Sequence, residues 1–504
     1  MCPRNVTVHS LINRLWFRIL VILAVFVMLM TLVSNMYPTS KVETLNSLEK
    51  FTAHLDDYIP ALMQDYSIPG VSIALIQEGQ TVWSNAYGYA DIETERSMTT
   101  DTYCRVESIS KSVTAWAIMK LVEQGLVELD RPVKEYIKSW EFPKSDFSVD
   151  QVTVRELLSH TSGMPLGDIF ERYSPEAKIP SLKESLTKQA IPIQEPGRSF
   201  VYSNTGYNLL ELLIEEVTGR DFAAFMEEEV LVPLKMHNSS FTWSGDLTPP
   251  VPVGYGLKGR PIPVYVYPEK ASGGLFATVG DIAAFVSAGM YRFVEQSVLT
   301  SESIDKLYTP AVEDIGVYSL IFDGYGLGYY FEELSNGRLS VANGGQGGGV
   351  MTFFQAVPET GDGIVILTNS QRSWPFFALL LTDWARWNGA DSIGMGKIVI
   401  AQKALWILIG MLWFSVVYQV LRLVLGCIAG KRFFTPSWKK FELFRLIQGI
   451  TAIVLLAGVL WCNSQDYLFI SAVFPVVSGW LGLAVLFLAL ALLCSALCPR
   501  KGNL

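Results

Sequence analysis

Three long apolar segments lie close together near the C-terminus, and they constrain the fold more than any other feature. They span residues 404–421, 446–461 and 468–493, and no charged residue interrupts them. A helix needs about 20 mostly apolar residues to span a bilayer. One such segment alone could be a buried core helix of a globular domain. Three in succession, flanked by basic residues, predict a transmembrane domain of three helices over residues 398–504.

A shorter apolar segment, residues 19–33, follows a basic N-terminal tail. Its length suits either a cleaved signal peptide or a retained membrane anchor. Residues 34–37 match a small-x-small cleavage site poorly, which favours the anchor. We therefore expect residues 1–37 to be a cytoplasmic tail with a signal peptide or anchor, followed by an extracytoplasmic domain over residues 38–397.

The placement of lysine and arginine predicts the orientation of the chain in the membrane. Basic residues are concentrated in the N-terminal tail, in residues 422–445 between the first two C-terminal segments, and at Arg500 and Lys501. The short turn at residues 463–467 has none. Because basic loops stay in the cytoplasm, we expect cytoplasmic N- and C-termini in a multi-pass protein of the cell membrane, with the lipid bilayer as one partner.

The composition of residues 38–397 excludes several classes of function. This segment has 27 lysines and arginines against 46 aspartates and glutamates, which argues against a nucleic-acid partner. Its one cysteine, Cys104, has no intramolecular disulfide partner within the segment. No cysteine and histidine share the spacing of a metal site. The sequence therefore predicts neither a metal nor another cofactor.

Strand patterns occur at both ends of this segment and helical patterns in the middle. Since β-strands at the two ends can pair in one sheet, we predict an α/β (α+β) fold: an antiparallel sheet flanked by helices, with a mostly helical lobe. The predicted strands are residues 71–77, 81–87, 325–332, 338–342, 351–357 and 363–368, and the predicted helices include 113–123, 154–158, 208–217 and 282–290.

The pair Ser108 and Lys111 stands at the start of a predicted helix. A serine there gains from the positive end of the helix dipole, and a desolvated lysine one turn later could accept its proton. The pattern alone also fits an ordinary first helical turn. The S-x-x-K spacing recurs at Ser47, Ser185, Ser303 and Ser437. Ser437 lies in the basic loop, and the other three lie in charged amphipathic segments that look solvated.

Two further segments could complete a site around Ser108. In Tyr202-Ser203-Asn204 the phenol could relay a proton and the Asn204 amide could bind a substrate carbonyl, although a helix cap at Ser203 or Asn204 explains the same turn. The glycine-rich residues 343–349 follow a predicted strand, where glycines let a substrate approach an edge strand. His160 is expected to be a loop histidine that bonds nearby backbone rather than a catalytic base.

Taken in order, these motifs resemble the serine β-lactamase and penicillin-binding-protein superfamily, specifically its branch of class C β-lactamases, D-aminopeptidases and esterases. The resemblance covers roughly residues 45–385. The phrases that carry it are VESISKSVTAWAIMKLVEQG, VTVRELLSHTSGM, PGRSFVYSNTGYNLL and SGGLFATVGDIAAF. It implies a β-lactamase/DD-peptidase-like fold and a hydrolase of peptides, amides or esters.

The resemblance also implies roles for individual residues. Ser108 is the acylated nucleophile, and Lys111 and Tyr202 share the general base and acid roles. Asn204 orients the substrate, and the oxyanion hole consists of the backbone N–H groups of Ser108 and Gln346. The third motif, with substrate-binding Asn343 and Gly345, has Asn343 where relatives carry lysine or histidine, which would weaken recognition of a carboxylate and hydrolysis of β-lactams.

The overall layout leaves alternatives open. It is similar to that of the membrane-bound prodrug-activating peptidases of nonribosomal peptide pathways, which cleave a D-amino-acid cap and for which a transporter is a candidate partner. The missing cation at position 343 is also compatible with a catalytically silent relative that serves as a membrane binding or regulatory module. A transporter with an outer cap is disfavoured, because the apolar segments lack ionisable residues.

Overall fold

The computed structural model describes residues 47–169, 171–293, 295, 298–434, 443–465 and 467–499. The expectations for residues 1–37, and for Ser437, lie outside these ranges. Contacts divide the chain into two compact units, one of residues Val42–Lys397 and one that contains Ile398–Leu504. We describe each unit by itself.

An eight-stranded antiparallel sheet is the centre of the larger unit, with the strand order β3-β2-β1-β13-β12-β11-β10-β9. The first three strands and the last five therefore meet at the pairing of β1 with β13. The strands are β1 (Gly70–Gln77), β2 (Gln80–Asp91), β3 (Arg96–Ser97), β4 (Cys104–Arg105), β5 (Ser239–Ser240), β6 (Gly254–Tyr255), β7 (Pro261–Ile262), β8 (Phe276–Ala277), β9 (Gly324–Tyr325), β10 (Tyr330–Glu333), β11 (Leu339–Gly347), β12 (Val350–Val357) and β13 (Asp362–Thr368).

Helices cover this sheet and form a lobe beside it. The helices are α1 (Leu48–Tyr66), α2 (Ile109–Glu123), α3 (Val154–Leu158), α4 (Leu182–Gln189), α5 (Asn204–Thr218), α6 (Phe222–Met226), α7 (Val279–Ala288), α8 (Ser301–Tyr308), α9 (Trp374–Trp387), α10 (Gly396–Ile428), α11 (Leu443–Ser464), α12 (Phe469–Val473) and α13 (Pro475–Leu497). Short 3₁₀ turns occur at Val133–Glu135 and Gly316–Leu320, and a π turn at Glu227–Leu231.

The burial of the central strands explains why they read as apolar runs. Strand β1 is buried along seven of its eight residues, because helices pack over the strands. Helix α7 packs against β1, β2 and β13, while α1 and α9 pack together and against β2 and β13. Phe51 of α1 stacks on Trp387 of α9, with the ring centroids 4.3 Å apart. The predicted antiparallel sheet with flanking helices is confirmed.

The prediction of one continuous strand over residues 325–332 is wrong. Residues 325–332 were expected to form a continuous strand, but β9 ends at Tyr325 and β10 begins at Tyr330. Between them Gly328 has φ of +92°, a conformation that favours glycine. The Leu327 N–H donates to the Leu307 carbonyl oxygen instead of to a neighbouring strand. The interruption leaves the Gly328 carbonyl oxygen free to meet Asn343 and Ser112.

Helix α2 is the element on which the site is built. Twelve of its fifteen residues are buried, because it contacts α5 of the lobe and β11 of the sheet. A helix buried on all sides cannot show a clear amphipathic pattern, which is why its buried residues, polar ones included, fall on every face. Its N-terminus lies where the lobe and the sheet meet.

The smaller unit contains three helices that are long and apolar enough to cross a bilayer: Gly396–Ile428, Arg445–Ser464 and Pro475–Leu497. Helix α13 packs against α11 and α12. Aromatic pairs join it to α10, with Trp413 and Phe487 at a centroid distance of 5.2 Å. The three predicted C-terminal helices are therefore present. The first two are longer than their apolar segments, and the third begins at Pro475 because Phe469–Val473 forms a separate short helix.

Candidate active site

Ser108 lies at the N-terminus of α2, immediately after a strained turn. Strand β4 pairs with β8, and the preceding residue, Glu107, takes a left-handed conformation with φ of +51°. The Glu107 carboxylate is buried and accepts hydrogen bonds from Tyr265 at 2.7 Å and Tyr267 at 3.3 Å. Burial raises the pKa of Glu107, and Arg105 opposes that shift. These contacts hold the turn that presents Ser108 at a half-buried position.

Lys111 is completely buried one turn into α2. Its Nζ donates to Ser108 Oγ at 2.9 Å and to the Ser272 carbonyl oxygen at 2.7 Å. Burial lowers the pKa of Lys111 to about 7, and the nearby Glu107 carboxylate opposes this shift. At neutral pH a large fraction of Lys111 is therefore the neutral amine, whose lone pair can accept a proton.

Tyr202 completes a three-residue cluster with Ser108 and Lys111. Its hydroxyl is hydrogen-bonded to Ser108, while burial raises its pKa above 10. The Lys111 Nζ lies 5.1 Å from the centroid of the Tyr202 ring. Because its pKa is raised, the phenol stays protonated at neutral pH. It can donate a proton, but at neutral pH it is not a phenolate that could act as a base.

His160 and Ser203 hold the segment that carries Tyr202. His160 is buried with φ of +61°, and its Nδ1 accepts the Ser203 backbone N–H at 3.1 Å. Its ring lies 4.4 Å from that of Tyr202. Ser203 caps α5, since its Oγ accepts the Gly206 N–H at 2.8 Å. The predicted loop histidine and helix cap are both confirmed, and burial keeps the pKa of His160 well below 6.5.

The Ser272 carbonyl that faces Lys111 is fixed by a buried carboxylate. Glu211 of α5 accepts the backbone N–H groups of Lys270 at 2.6 Å and Ala271 at 2.8 Å. Burial raises the pKa of Glu211 to about 8. Neither Glu211 nor Ser272 was singled out from the sequence. The available signal was an acidic residue in the middle of the otherwise apolar, buried face of α5.

Asn343 lies in the interior, against the start of α2. It is fully buried, and its Nδ2 donates to Ser112 Oγ at 2.7 Å, to the Gly328 carbonyl oxygen at 3.1 Å and to the Ser108 carbonyl oxygen at 3.4 Å. Its Oδ1 accepts the Gly344 N–H. The structure thus gives Asn343 protein partners that join β11 to α2, and a contact with substrate stays a prediction.

Strand β11 presents an edge beside this cluster. Strand β10 pairs only with residues Leu339–Ala342, whereas β12 pairs along β11 as far as Gly347. The glycine-rich part of β11 therefore has a ladder partner on one side. A Cβ at Gly345 would lie 2.3 Å from the Val106 carbonyl oxygen, so packing against the chain before Ser108 already requires glycine there. The Gln346 side chain accepts a hydrogen bond from Trp374 at 3.4 Å.

Asn204 is the first residue of α5 and is half-buried. Its backbone N–H donates to the Leu166 carbonyl oxygen at 3.1 Å. Within the described part of the chain its carboxamide makes no hydrogen bond, so it is available to a ligand. The described residues contain no group of three or more His, Cys, Asp or Glu placed to hold a metal ion.

Known proteins are similar to this chain in sequence and in fold. Protein flp of Staphylococcus aureus (strain MRSA252) is 30% identical over 219 residues, which is 43% of this chain and 43% of that protein. The mouse mitochondrial serine beta-lactamase-like protein LACTB is 24% identical over 330 residues, 47% of this chain and 57% of LACTB. The chain thus spans about half the length of these relatives.

Solved structures cover a larger share of the chain. The octameric penicillin-binding protein homologue from Pyrococcus abyssi is 30% identical, with a TM-score of 0.56 over 66% of this chain and 77% of that one. A class C beta-lactamase is 23% identical and shows the same fold, with a TM-score of 0.53 over 64% of this chain and 91% of its own. The model of the Beta-lactamase family matches residues 55–383. On that match, and with the predicted fold in place, the chain belongs to the Beta-lactamase family.

Proposed function

We propose that this protein is an extracytoplasmic serine hydrolase, held in the membrane by its C-terminal helices, that cleaves an amide or ester through an acyl-enzyme on Ser108. The observation that carries the proposal is the buried Lys111 amine, 2.9 Å from Ser108 Oγ and with a pKa lowered to about 7. A serine beside a base of that pKa is an activated nucleophile.

The partners of Lys111 suit it to the role of base. A neutral amine has two N–H groups and one lone pair. One N–H is satisfied by the Ser272 carbonyl at 2.7 Å, which leaves the lone pair free to turn towards the Ser108 hydroxyl. The proton then moves from Ser108 to Lys111 as Oγ bonds to the substrate carbonyl carbon.

Tyr202 provides the path to the leaving group. Its hydroxyl is bonded to Ser108 and remains protonated, so it can give its proton to the departing nitrogen or oxygen and be reprotonated from Lys111. The C–N or C–O bond breaks and an ester on Ser108 remains. A water molecule activated by the same pair then attacks the ester and restores Ser108.

Oxyanion stabilisation is assigned to the backbone N–H groups of Ser108 and Gln346. The position of Ser108 at the N-terminus of α2 supports the first assignment, because unpaired N–H groups are concentrated there. Gln346 follows Gly345 on β11, where a Cβ would lie 2.3 Å from the Val106 carbonyl oxygen, and this closeness of β11 to the chain before Ser108 supports the second. Loss of one such donor typically costs about 10²- to 10³-fold in rate.

The substrate class follows from what the site lacks as well as from what it holds. Asn343 brings no cation and its amide is occupied by protein groups, so we expect weak hydrolysis of β-lactams and little preference for a free carboxylate. Asn204, whose carboxamide makes no hydrogen bond to the described residues, is the proposed contact for a substrate carbonyl. Cleavage of a D-amino-acid cap from a prodrug near a transporter is one reaction of this class.

Covalent labelling tests the proposal directly. The full-length protein in detergent is treated with a fluorophosphonate and, separately, with a penicillin, and the modified peptide is identified by mass spectrometry. We expect a label on Ser108 that disappears in Ser108→Ala. Ser303→Ala is the matched control, since it alters another S-x-x-K serine and should label like the wild type.

The alternative reading is a silent membrane module, and the same experiment separates the two. If neither probe labels the folded wild-type protein and Ser108→Ala leaves its cellular phenotype intact, the enzymatic proposal fails. A label of equal intensity in Ser108→Ala would show that a different residue is the nucleophile.

A further inference from the structure

The helices of the smaller unit enclose a polar cavity at one end. It lies between α10, α11 and α13 and has a volume of about 350 Å³. Six of its eight lining residues are polar, and none is acidic: Gln419, Arg422, Arg432, Gln448, Thr451 and Ser495. A polar cavity with two arginines is unusual among helices of this hydropathy, because charged groups beside hydrocarbon are costly unless they are paired.

Arg432 is held in place by the turn that ends α10. Its backbone N–H donates to the Gly426 carbonyl oxygen at 3.1 Å, and its side chain folds back across Gly426, where a Cβ would lie 2.8 Å from Arg432 Cδ. Its Nη1 then reaches α13, donating to Ser495 Oγ at 3.3 Å and to the Cys498 carbonyl oxygen at 3.1 Å. The guanidinium is therefore already ordered beside the cavity.

Arg422 is the second charged residue of the cavity lining. Within the described residues its side chain makes no hydrogen bond or ion pair. From residue 398 onward the sequence has two acidic residues, Glu442 and Asp466, both outside the described ranges. The Arg422 guanidinium, with the ordered Arg432 beside it and amide and hydroxyl donors from Gln448 and Thr451, thus suits a ligand with negative charge.

The surroundings of the cavity indicate what kind of anion it accepts. Leu425 and Ile428 of α10 are 63% and 78% exposed, and Ile447 in the cavity wall is 51% exposed. Apolar side chains with this exposure on a spanning helix are expected to face lipid tails. A ligand with a phosphate head and acyl chains matches both parts of the surface, whereas a free anion matches only the cavity.

We infer that this cavity binds the phosphate headgroup of an anionic phospholipid, with Arg422 and Arg432 as its charged partners. Basic pockets between transmembrane helices are suited to such headgroups. The shared chemistry is a phosphate ester, and inorganic phosphate is the competing source. The inference is independent of the reaction proposed at Ser108.

Lipid binding to the full-length protein tests the inference. The protein in dodecyl maltoside is titrated with dioleoyl-phosphatidylglycerol or dioleoyl-phosphatidylcholine, and bound lipid is counted by native mass spectrometry. We expect phosphatidylglycerol to bind about tenfold more tightly, as expected for one to two arginines at about 1 kcal/mol each. Arg422→Gln should abolish most of this preference without unfolding the protein, because the Arg422 side chain makes no hydrogen bond or ion pair with the residues that the structure describes.

Lys431→Gln is the matched control. This substitution removes one positive charge near the same end of α10, but Lys431 does not line the cavity. The preference should therefore change by less than about twofold. Equal losses in Arg422→Gln and Lys431→Gln, or no preference for phosphatidylglycerol in the wild type, would overturn the inference. Complete displacement of the lipid by millimolar inorganic phosphate would overturn its assignment to a lipid.

Discussion

The pairs Ser108–Lys111 and Ser303–Lys306 have the same spacing, and each lies at the start of a helix, yet the structure places them in opposite environments. Lys111 is fully buried and bonds Ser108 at 2.9 Å. The side chain of Lys306 is 50% exposed and bonds the Glu302 carboxylate at 2.8 Å. In one pair the lysine faces its serine, and in the other it faces solvent and an acid.

The remaining described matches resemble the second pair. Ser47 caps α1 by accepting the Lys50 N–H, Ser185 donates to the Glu269 carboxylate, and Lys50 and Lys188 are both exposed. A serine and a lysine at this spacing can therefore act as nucleophile and base only where tertiary packing dehydrates the lysine. Desolvation, rather than sequence distance, lowers the pKa of Lys111.

The largest expected effect is on the rate of Ser108 acylation, which should depend on Lys111 and not on Lys306. Lys111→Met removes the amine but keeps most of the buried volume, and we expect the rate of Ser108 acylation to fall about 10²- to 10⁴-fold, the range typical of a general base. Lys306→Met should leave the rate unchanged. Both variants are measured with the fluorophosphonate under single-turnover conditions. Similar rates for the two would remove Lys111 from the mechanism.

The same two variants should differ in stability, with a sign set by the pKa of Lys111. Its folded pKa, about 7, is below the ordinary value of 10.5, so between these pH values the unfolded chain binds more protons and stability rises with pH. Lys111→Met lacks this dependence. Its advantage over the wild type should shrink as pH rises from 7 towards 10, by at most about 1.4 kcal/mol per pH unit.

Thermal unfolding of both detergent-solubilised proteins across this pH range provides the measurement. Other titrating groups are common to the wild type and the variant, so they cancel in the difference. Lys306→Met should show a small and pH-independent difference, because an exposed ion pair contributes about 0–1 kcal/mol. A constant gap between Lys111→Met and wild type would contradict a lowered pKa.

The smallest expected effect concerns Asn343. Asn343→Leu leaves the buried Ser112 hydroxyl and Gly328 carbonyl without this donor, and we expect a loss of about 1–3 kcal/mol in the free energy of unfolding. Asn336→Leu, at an exposed turn, should change it by less than about 0.5 kcal/mol. A chemical denaturation series compares them. Equal stability of the two variants would show that the Asn343 contacts contribute nothing.

Much of the fold could be predicted because local patterns and tertiary structure agree. Strands β1, β12 and β13 are buried, and their sequences are apolar runs. Two helices begin at residues that cap them, Thr153 and Ser203. The gap between β9 and β10 could not be predicted in the same way. The apolar pattern continues across residues 326–329, and only their contacts with α8 and Asn343 break the strand.

The residues of the candidate site could be predicted where their side chains stand in a sequence motif. They could not be predicted where the fold brings groups together from distant segments. Ser108, Lys111 and Tyr202 stand in recognisable phrases, and the structure brings the three together. The Ser272 backbone carbonyl accepts a hydrogen bond from Lys111, which no side-chain pattern reveals. Glu211, on another helix, holds the two preceding residues through their backbone N–H groups. The motif predicts Asn343 as a substrate contact, and that contact stays a prediction. The motif does not reveal that the Asn343 Nδ2 donates to Ser112, Gly328 and Ser108.

The pH dependence of Ser108 labelling tests the central claim most directly. The second-order rate of fluorophosphonate labelling is measured from pH 5 to pH 10 in the full-length protein, with the label assigned to Ser108 at each pH. If the buried Lys111 amine is the base, the rate rises with pH through a midpoint at about 7, where the amine loses its proton. A rate that is flat, or that keeps rising to a midpoint near the ordinary lysine pKa of about 10.4, would contradict the account.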